Sequence, residues 1–292
     1  MTAISLDALN SADRATFVKT LGEVMEYAPW VADSVYTRRP FSSLAALHQA
    51  MVAAVTNADD ERKLKLIKDH PDLAGKAARE GTLTADSTAE QSSAGLDRLT
   101  NDEYAKFHRL NDAYHAKFDI PFIVCVRRHG KDSILRQFER RLQNDPAAER
   151  DAALAEIFRI AALRIDQRVD APVRLEVHGR LSTHVLDTYN GHPAEGVAVE
   201  LRDVAGDQAI ARAVTNADGR TDTPLISGRP IPIGDYELRF DVGAYFTRLR
   251  VPTSDPSFLG IVPLRFGVSE PEGHYHVPLL ATPWSYSTYR GS

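Results

Sequence analysis

Hydrophobic residues recur at two different spacings along this chain, and the spacing changes near residue 170. Before that point they recur every three or four positions, as Leu154, Phe158 and Ile165 do, which is typical of an amphipathic helix. After it, Val173 and Leu175 alternate with polar residues, which is typical of a half-buried strand. The chain therefore changes from helix to strand within a few residues.

Pro172 lies between the two patterns. Proline cannot continue a helix, and it pushes the preceding residue out of the helical region. We therefore predict a helical domain over residues 1–170 and a β domain over residues 174–292, joined by a very short linker. Each is long enough to bury a core of its own.

The helical half carries several apolar stripes with short connections between them, which indicates an all-α bundle. Its clearest stripes are Phe17, Leu21, Val24 and Met25; Leu44, Leu47, Met51 and Val55; Tyr104, Phe107, Leu110 and Tyr114; and Ile134, Leu135, Phe138 and Leu142. Thr100 and Glu103 have the spacing of a capping box ahead of the third stripe. The apolar run at 120–126 has no period that separates a buried strand from a buried helix.

The second half reads as many short strands separated by turns. Apolar residues alternate at 197–201 and at 236–240, and the turn pairs Asn-Gly and Asp-Gly stand at 190–191 and 218–219. This pattern favours a β-sandwich.

Composition narrows the class of protein. The chain has 292 residues, of which 43% are hydrophobic and 26% charged, as in a soluble globular protein, and its net charge of −5 gives no reason to expect nucleic acid or a membrane as partner. The one cysteine, Cys125, excludes an intramolecular disulfide. No signal peptide or apolar run of ~20 residues occurs. We expect a cytoplasmic protein.

Two groups of polar residues in the helical half could carry chemistry. His70 precedes a proline at the end of a short apolar stripe, where it could act as a general acid or base, or simply cap a helix C-terminus at the surface. Ser87, Glu90 and Gln91 could bind polar ligand atoms, or could form a solvated helix start. Arg164, at the margin of a buried stripe, either extends to solvent or faces an anionic ligand.

Histidines dominate the candidate chemistry of the β half. His274 and His276 are two residues apart, so a strand would place both on one face. With His184 they could form a three-histidine zinc site. Alternatively, one histidine could activate water while an arginine stabilises the oxyanion, or the pair could have no role.

Five motifs of the helical half resemble those of the OHCU decarboxylase family, named for 2-oxo-4-hydroxy-4-carboxy-5-ureidoimidazoline. They are EYAPW at 26–30, RPF at 39–41, HPDLAGK at 70–76, SxxEQxxAGL at 87–96 and IPFIVCV at 120–126. The family usually carries His-Ser where Tyr27 and Ala28 stand here.

The resemblance implies that His70 is the catalytic acid/base. It also implies which residues bind the substrate: Pro71, Ser87, Glu90, Gln91, Arg164, and the backbone of Phe122, Ile123 and Val126. The implied reaction is loss of CO₂ from OHCU, followed by delivery of a proton to one face to give S-allantoin.

Motifs of the β half resemble 5-hydroxyisourate hydrolase, the transthyretin-related enzyme of uric-acid breakdown. They are the stretch 181–201, TNADGR at 215–220, HYHVPLL at 274–280 and the YRGS ending at 289–292. The resemblance implies a sandwich of two four-stranded sheets. It also implies the catalytic residues His184, Arg220 and His276, with His274, Tyr289 and Ser292 in the pocket.

Together the two resemblances imply a bifunctional enzyme of purine catabolism, because hydrolysis of 5-hydroxyisourate yields OHCU, the substrate of the helical half. They imply small-molecule substrates and neither a cofactor nor a metal. They also imply a homo-oligomer, with a tetramer formed through the β domain and dimer contacts through the helical domain. The alternative is a transthyretin-like small-molecule binding module, or a zinc-dependent hydrolase, carried on a helical partner domain.

Overall fold

The computed structural model describes residues 3–75 and 83–291. It divides into two compact units, one made of the described part of Met1–Arg127 with Ser133–Val177, and the other of Arg128–Asp132 with the described part of His178–Ser292. The first unit is helical and the second is rich in strands. The predicted fold class is confirmed, while the exact boundary between residues 170 and 174 stays a prediction.

The helices have the following bounds: α1 Leu6–Ser11, α2 Arg14–Leu21, α3 Pro29–Val35, α4 Leu44–Thr56, α5 Asp60–Lys68, α6 Ala85–Ser93, α7 Asn101–Phe118, α8 Lys131–Arg141, α9 Pro146–Arg168 and α10 Val242–Arg248. Short 3₁₀ turns occur at Tyr36–Arg38 and Val126–Arg128. No helix of the described chain is both long and apolar enough to cross a membrane.

Local signals and burial explain why these helices form where they do. The stripe predicted on α4 is buried along its whole length, and Ser43 caps that helix by accepting from the amide of Ala46. The capping box predicted at Thr100 and Glu103 is confirmed at the start of α7. The long helix α9 contributes Ala153, Ile157 and further residues to the core of the helical unit.

The apolar run at 120–126 forms neither a strand nor a regular helix. Its residues are buried, the non-proline ones with exposed fractions of 1–6%, and only Val126 begins a 3₁₀ turn. Side chains satisfy part of its backbone: Glu156 accepts from the amide of Cys125, and Arg141 donates to the carbonyl of Ile123. Because these side chains form hydrogen bonds with its backbone, the irregular segment can lie inside the core.

The strands have the following bounds: β1 Ile4–Ser5, β2 Val169–Asp170, β3 Gly179–Asp187, β4 His192–Pro193, β5 Ala198–Asp203, β6 Gln208–Val214, β7 Ile226–Arg229, β8 Gly234–Asp241, β9 Ile261–Val268, β10 His274–Ala281 and β11 Tyr286–Thr288. One sheet has the order β11-β10-β3-β4 with β7 also paired to β3, and the other has the order β6-β5-β8-β9. The short strand β4 makes the first sheet five-stranded, where the resemblance implied four.

The β unit buries the alternating residues that the sequence singled out. Val199 and Leu201 of β5 and Leu238 and Phe240 of β8 are at most 2% exposed and belong to its core. In the helical unit, β1 and β2 form a small parallel pair in which Ile4 is the partner of Val169.

Two candidate active sites

His70 lies just beyond the C-terminus of α5 and is buried. Its Nδ1 lies 2.8 Å from the carbonyl oxygen of Leu66, and because a carbonyl only accepts, Nδ1 carries a hydrogen. In the neutral ring Nε2 then carries a lone pair. The imidazole therefore caps the helix end through Nδ1, but the hypothesis of a cap at the surface is wrong, because His70 is only 7% exposed. A catalytic role for Nε2 stays a prediction.

Burial lowers the pKa of His70, and this effect outweighs the hydrogen bond to Leu66, which raises it. The imidazole is consequently neutral at neutral pH, with Nε2 ready to accept a proton. The charges of Glu26 and Arg164 act on it in opposite senses.

A small pocket surrounds this histidine. It brings together all the residues proposed from the first resemblance, namely His70, Pro71, Ser87, Glu90, Gln91, Phe122, Ile123, Val126 and Arg164. Leu73, Val124 and Ile160 add apolar lining, and Glu26 adds a carboxylate. Lys76 of the HPDLAGK motif lies outside the described residues.

Arg164 neither extends to solvent nor presents an unpaired charge. Its side chain is 2% exposed, and it donates to Glu90 from Nε at 2.9 Å and from Nη2 at 2.8 Å. Nη2 also lies 3.0 Å from Oε2 of Glu26. Burial lowers the pKa of Arg164, but the two carboxylates raise it by more, so the guanidinium stays charged.

A second buried ion pair supports the wall of the pocket from behind. Arg141 and Glu149 are at most 3% exposed and hydrogen-bonded to each other, and Arg141 also donates to the carbonyl of Ile123 at 2.5 Å. Its guanidinium lies 4.7 Å from the ring centre of Phe122. Removing one partner of such a pair typically costs about 3–5 kcal/mol, so this pair fixes the segment that carries Phe122 and Ile123.

In the β unit, the parallel pairing of β3 with β10 assembles a polar face. Ser182 is the partner of His276 in register. The Ser182 hydroxyl lies 3.0 Å from Nδ1 of His276 and 3.3 Å from Nε2 of His274. Since a hydroxyl has one hydrogen, it can donate to one histidine and accept from the other. The ring of His184 is 6.3 Å from that of His276.

Arg220 reaches this face through an antiparallel bridge with His184. Burial lowers the pKa of His184, and the charge of Arg220 lowers it further. The same two causes, in the same order, lower the pKa of His276. Both imidazoles are therefore neutral at neutral pH, next to a permanent positive charge.

The end of the described chain lies against the same histidine. Gly291 pairs with His276 and donates its amide hydrogen to the His276 carbonyl at 2.8 Å. Tyr289 is 59% exposed, and Ser292 lies outside the described residues. The structure thus brings His184, Arg220 and His276 together, with His274 linked to them through Ser182.

Comparisons with known proteins agree with this division. A model of the OHCU decarboxylase family matches residues 10–166, and a model of the HIUase/Transthyretin family matches residues 181–291. The chain belongs to both families.

Individual relatives match each half at high identity. The 5-hydroxyisourate hydrolase of Deinococcus radiodurans is 56% identical over 117 residues, which are 39% of this chain and 98% of that protein. The 2-oxo-4-hydroxy-4-carboxy-5-ureidoimidazoline decarboxylase of Halalkalicoccus jeotgali is 40% identical over 167 residues, 57% of this chain and 93% of that protein. A solved (S)-allantoin synthase is 34% identical with a TM-score of 0.54, covering 99% of this chain and 100% of that one.

Two residues that contact the candidate sites are not identified by the sequence patterns of this member of the OHCU decarboxylase and HIUase/Transthyretin families. Glu26 stands in the EYAPW motif, but nothing in the sequence placed it against Arg164, far along the chain. Ser182 lies two residues before His184 and on the same face of a strand, a spacing that could have found it. Among the described residues no three His, Cys, Asp or Glu side chains could hold a metal ion, so the three-histidine zinc arrangement is not formed.

Proposed function

We propose that this chain catalyses two consecutive steps of purine catabolism. The β domain hydrolyses 5-hydroxyisourate to OHCU, and the helical domain decarboxylates OHCU to S-allantoin. The observation that carries the proposal is the presence, on one chain, of a buried pocket around His70 and a histidine–arginine face around His276. Each of the two domains belongs to a family with relatives named for one of these two steps.

In the helical domain, we assign the proton transfers to His70. Loss of CO₂ breaks a carbon–carbon bond at the hydroxyl-bearing carbon and leaves an enol. The enol oxygen then loses its proton and becomes a carbonyl, while the neighbouring ring carbon, which carries the ureido group, takes a proton. Nε2 of His70 is the group that accepts a proton from the substrate and returns it to that carbon, and a protonated imidazole with a lowered pKa gives its proton up readily. Because the pocket holds the substrate in one orientation, the proton arrives on one face.

In the same pocket, we assign substrate binding to Pro71, Ser87, Glu90, Gln91, Arg164 and the backbone of Phe122, Ile123 and Val126. Gln91 is oriented by its Oε1, which accepts from the amide of Ala74 at 3.0 Å. Arg164 holds Glu90 and Ser87 in place through hydrogen bonds to both side chains.

In the β domain, we assign activation of water to a neutral imidazole of the pair His184 and His276. Attack of that water on a ring carbonyl gives a tetrahedral oxyanion. As the carbon–nitrogen bond breaks and the ring opens, the imidazole returns its proton to the departing nitrogen. Arg220 supplies the positive charge that stabilises the oxyanion. We place His274, Tyr289 and Ser292 around the substrate.

We further propose that the β domains assemble into a tetramer, with dimer contacts through the helical domains. On a single chain His274 and Arg220 are exposed, although substrate sites normally bury most of their ligand. A second chain over this face would exclude water from it. A cytoplasmic location stays a prediction.

The test uses urate with urate oxidase to generate 5-hydroxyisourate in the cuvette. Adding the protein is expected to accelerate the decay of the hydroxyisourate absorbance and to produce the circular dichroism of S-allantoin. A transthyretin-like binding module would bind a ligand without accelerating the decay. An unchanged decay rate, with optically inactive allantoin as product, would contradict both assigned reactions.

Gly291→Ala is expected to lower the turnover of the hydrolase step by up to ~10²-fold, as a small misplacement of a catalytic group does. A Cβ at this position would lie 2.7 Å from Cδ2 of His276, so the imidazole would have to move. The hydroxyisourate assay measures the effect. Gly234→Ala is the matched control, because its added Cβ would meet nothing within 4 Å. Equal rates in the two variants would show that Gly291 does not position His276.

A further inference from the structure

The hydroxyl of Ser87 has hydrogen bonds of fixed direction on its protein side. Its oxygen lies 2.6 Å from Oε2 of Glu26 and 3.3 Å from Nη2 of Arg164. An ionised carboxylate only accepts, and a guanidinium only donates. Ser87 therefore donates its one hydrogen to Glu26 and accepts one from Arg164. One lone pair remains on the Ser87 oxygen, and Ser87 lines the His70 pocket.

Ser87 donates to Glu26 only if Glu26 is ionised, and the surroundings of Glu26 keep it ionised. Oε1 accepts from the hydroxyl of Thr84 at 2.5 Å, and Oε2 accepts from Ser87 and Arg164. Burial raises the pKa of Glu26, but the charge of Arg164 and the two hydroxyl donors lower it by more, so the net shift is downward. The ionised carboxylate of Glu26 carries no hydrogen, so Ser87 can only donate to it.

We propose that Glu26 is a positioning residue that fixes Ser87 as a hydrogen-bond acceptor toward the pocket, so that Ser87 selects a ligand group bearing N–H and rejects a carbonyl or carboxylate. The inference rests on the proposed function and deepens it. The proposed substrate carries both a ureido group, which has N–H donors, and a carboxylate. The ureido end goes to Ser87, and the carboxylate lies elsewhere in the pocket.

The expected selectivity follows from the cost of placing lone pairs against each other. A buried acceptor that meets another acceptor loses its hydrogen bond with water and gains none in return. A site built around such a hydrogen bond discriminates strongly against an analogue that cannot make it. Glu26 touches no ligand in this scheme and acts only through the direction of the Ser87 hydrogen.

The experiment measures the dissociation constants of two probes by isothermal titration calorimetry on the full chain. Allantoin carries a ureido group, and hydantoin-5-acetic acid carries a carboxylate at the equivalent position. The wild-type protein is expected to prefer allantoin by about tenfold or more. Glu26→Leu removes the acceptor and frees the Ser87 hydrogen, so the preference is expected to fall by about tenfold.

Glu26→Gln separates the direction of the hydrogen bond from the charge. The glutamine carbonyl must face Arg164 and Ser87, since Arg164 can only donate, and its NH₂ then faces the hydroxyl of Thr84, which can accept. The preference for allantoin is therefore expected to change by less than about threefold. Loss of the preference in this variant would show that the negative charge repels the carboxylate probe, and would overturn the inference.

Ser87→Ala completes the test. It is expected to remove the preference by itself, and in that background Glu26→Leu should change the ratio of dissociation constants by less than about twofold, because coupling between two contacting residues disappears when one is absent. A full preference in Ser87→Ala overturns the inference even if Glu26→Leu does not fold. Equal binding of both probes to the wild type, or no binding of allantoin, overturns the inference alone. The proposed function is overturned only by an unchanged hydroxyisourate decay with optically inactive allantoin as product.

Discussion

His70→Ala is expected to slow formation of S-allantoin by ~10²–10⁴-fold, the usual contribution of a general acid–base group. The residue is buried in the pocket and its Nδ1 donates to Leu66, so the change removes Nε2, the nitrogen to which we assign the proton transfers. Allantoin that forms without the enzyme is racemic. The circular dichroism of the product should therefore disappear, while the hydroxyisourate absorbance decays at the wild-type rate.

The matched control is His108→Ala, which removes an exposed histidine from α7 whose nearest ion-pair partner, Asp112, is 3.9 Å away. It should leave both signals unchanged. If His70→Ala, in a folded protein, also stopped the hydroxyisourate decay, the assignment of separate sites to the two families would be wrong.

Arg220→Gln is expected to reduce turnover of the hydrolase step by ~10²–10³-fold, the typical cost of losing one donor to an oxyanion. It should also change the pH profile. Arg220 lowers the pKa of His184 and of His276, so removing its charge raises both pKa values. A base works in its neutral form, so the acid limb of kcat/KM moves to higher pH.

Arg220→Lys separates these two effects. Lysine keeps the charge, so the acid limb should stay where it is, but it lacks the planar fork of donors and should recover only part of the rate. Arg212→Gln is the control, since Arg212 is exposed on β6 of the other sheet and pairs with Glu200. If the acid limb of kcat/KM does not move in Arg220→Gln, Arg220 does not lower the pKa of the histidine that acts as the base.

The fold could be predicted from local patterns because those patterns report burial directly. The stripe of α4 and the alternation of β5 are periodic, and periodic burial is confirmed in both cases. On β8 the predicted apolar residues are buried, but Glu237 between them is buried as well, where it pairs with Arg239 and Arg265. The segment 120–126 could not be assigned, because its backbone depends on Arg141 and Glu156, which come later in the chain and belong to other elements. Sequence spacing carries no information about such distant partners.

The same limit applies to the decarboxylase site. Arg164 was recognised by its position at the edge of a buried stripe, but the sequence left open whether it faces a ligand. In the structure its charge is balanced by Glu26 and Glu90. Glu26 lies 138 positions away from Arg164, so only the assembled fold identifies it as a partner.

The small parallel pair formed by β1 and β2 bears on how such a protein could arise. Because Ile4 is the partner of Val169, the backbone at the beginning of the helical domain runs beside the backbone at its end. A second domain fused to either end of the helical domain would therefore be attached at nearly the same place. The helical fold therefore favours neither order of the two domains in a gene fusion. The order found here, in which the domain for the second reaction comes first, does not strain the helical fold.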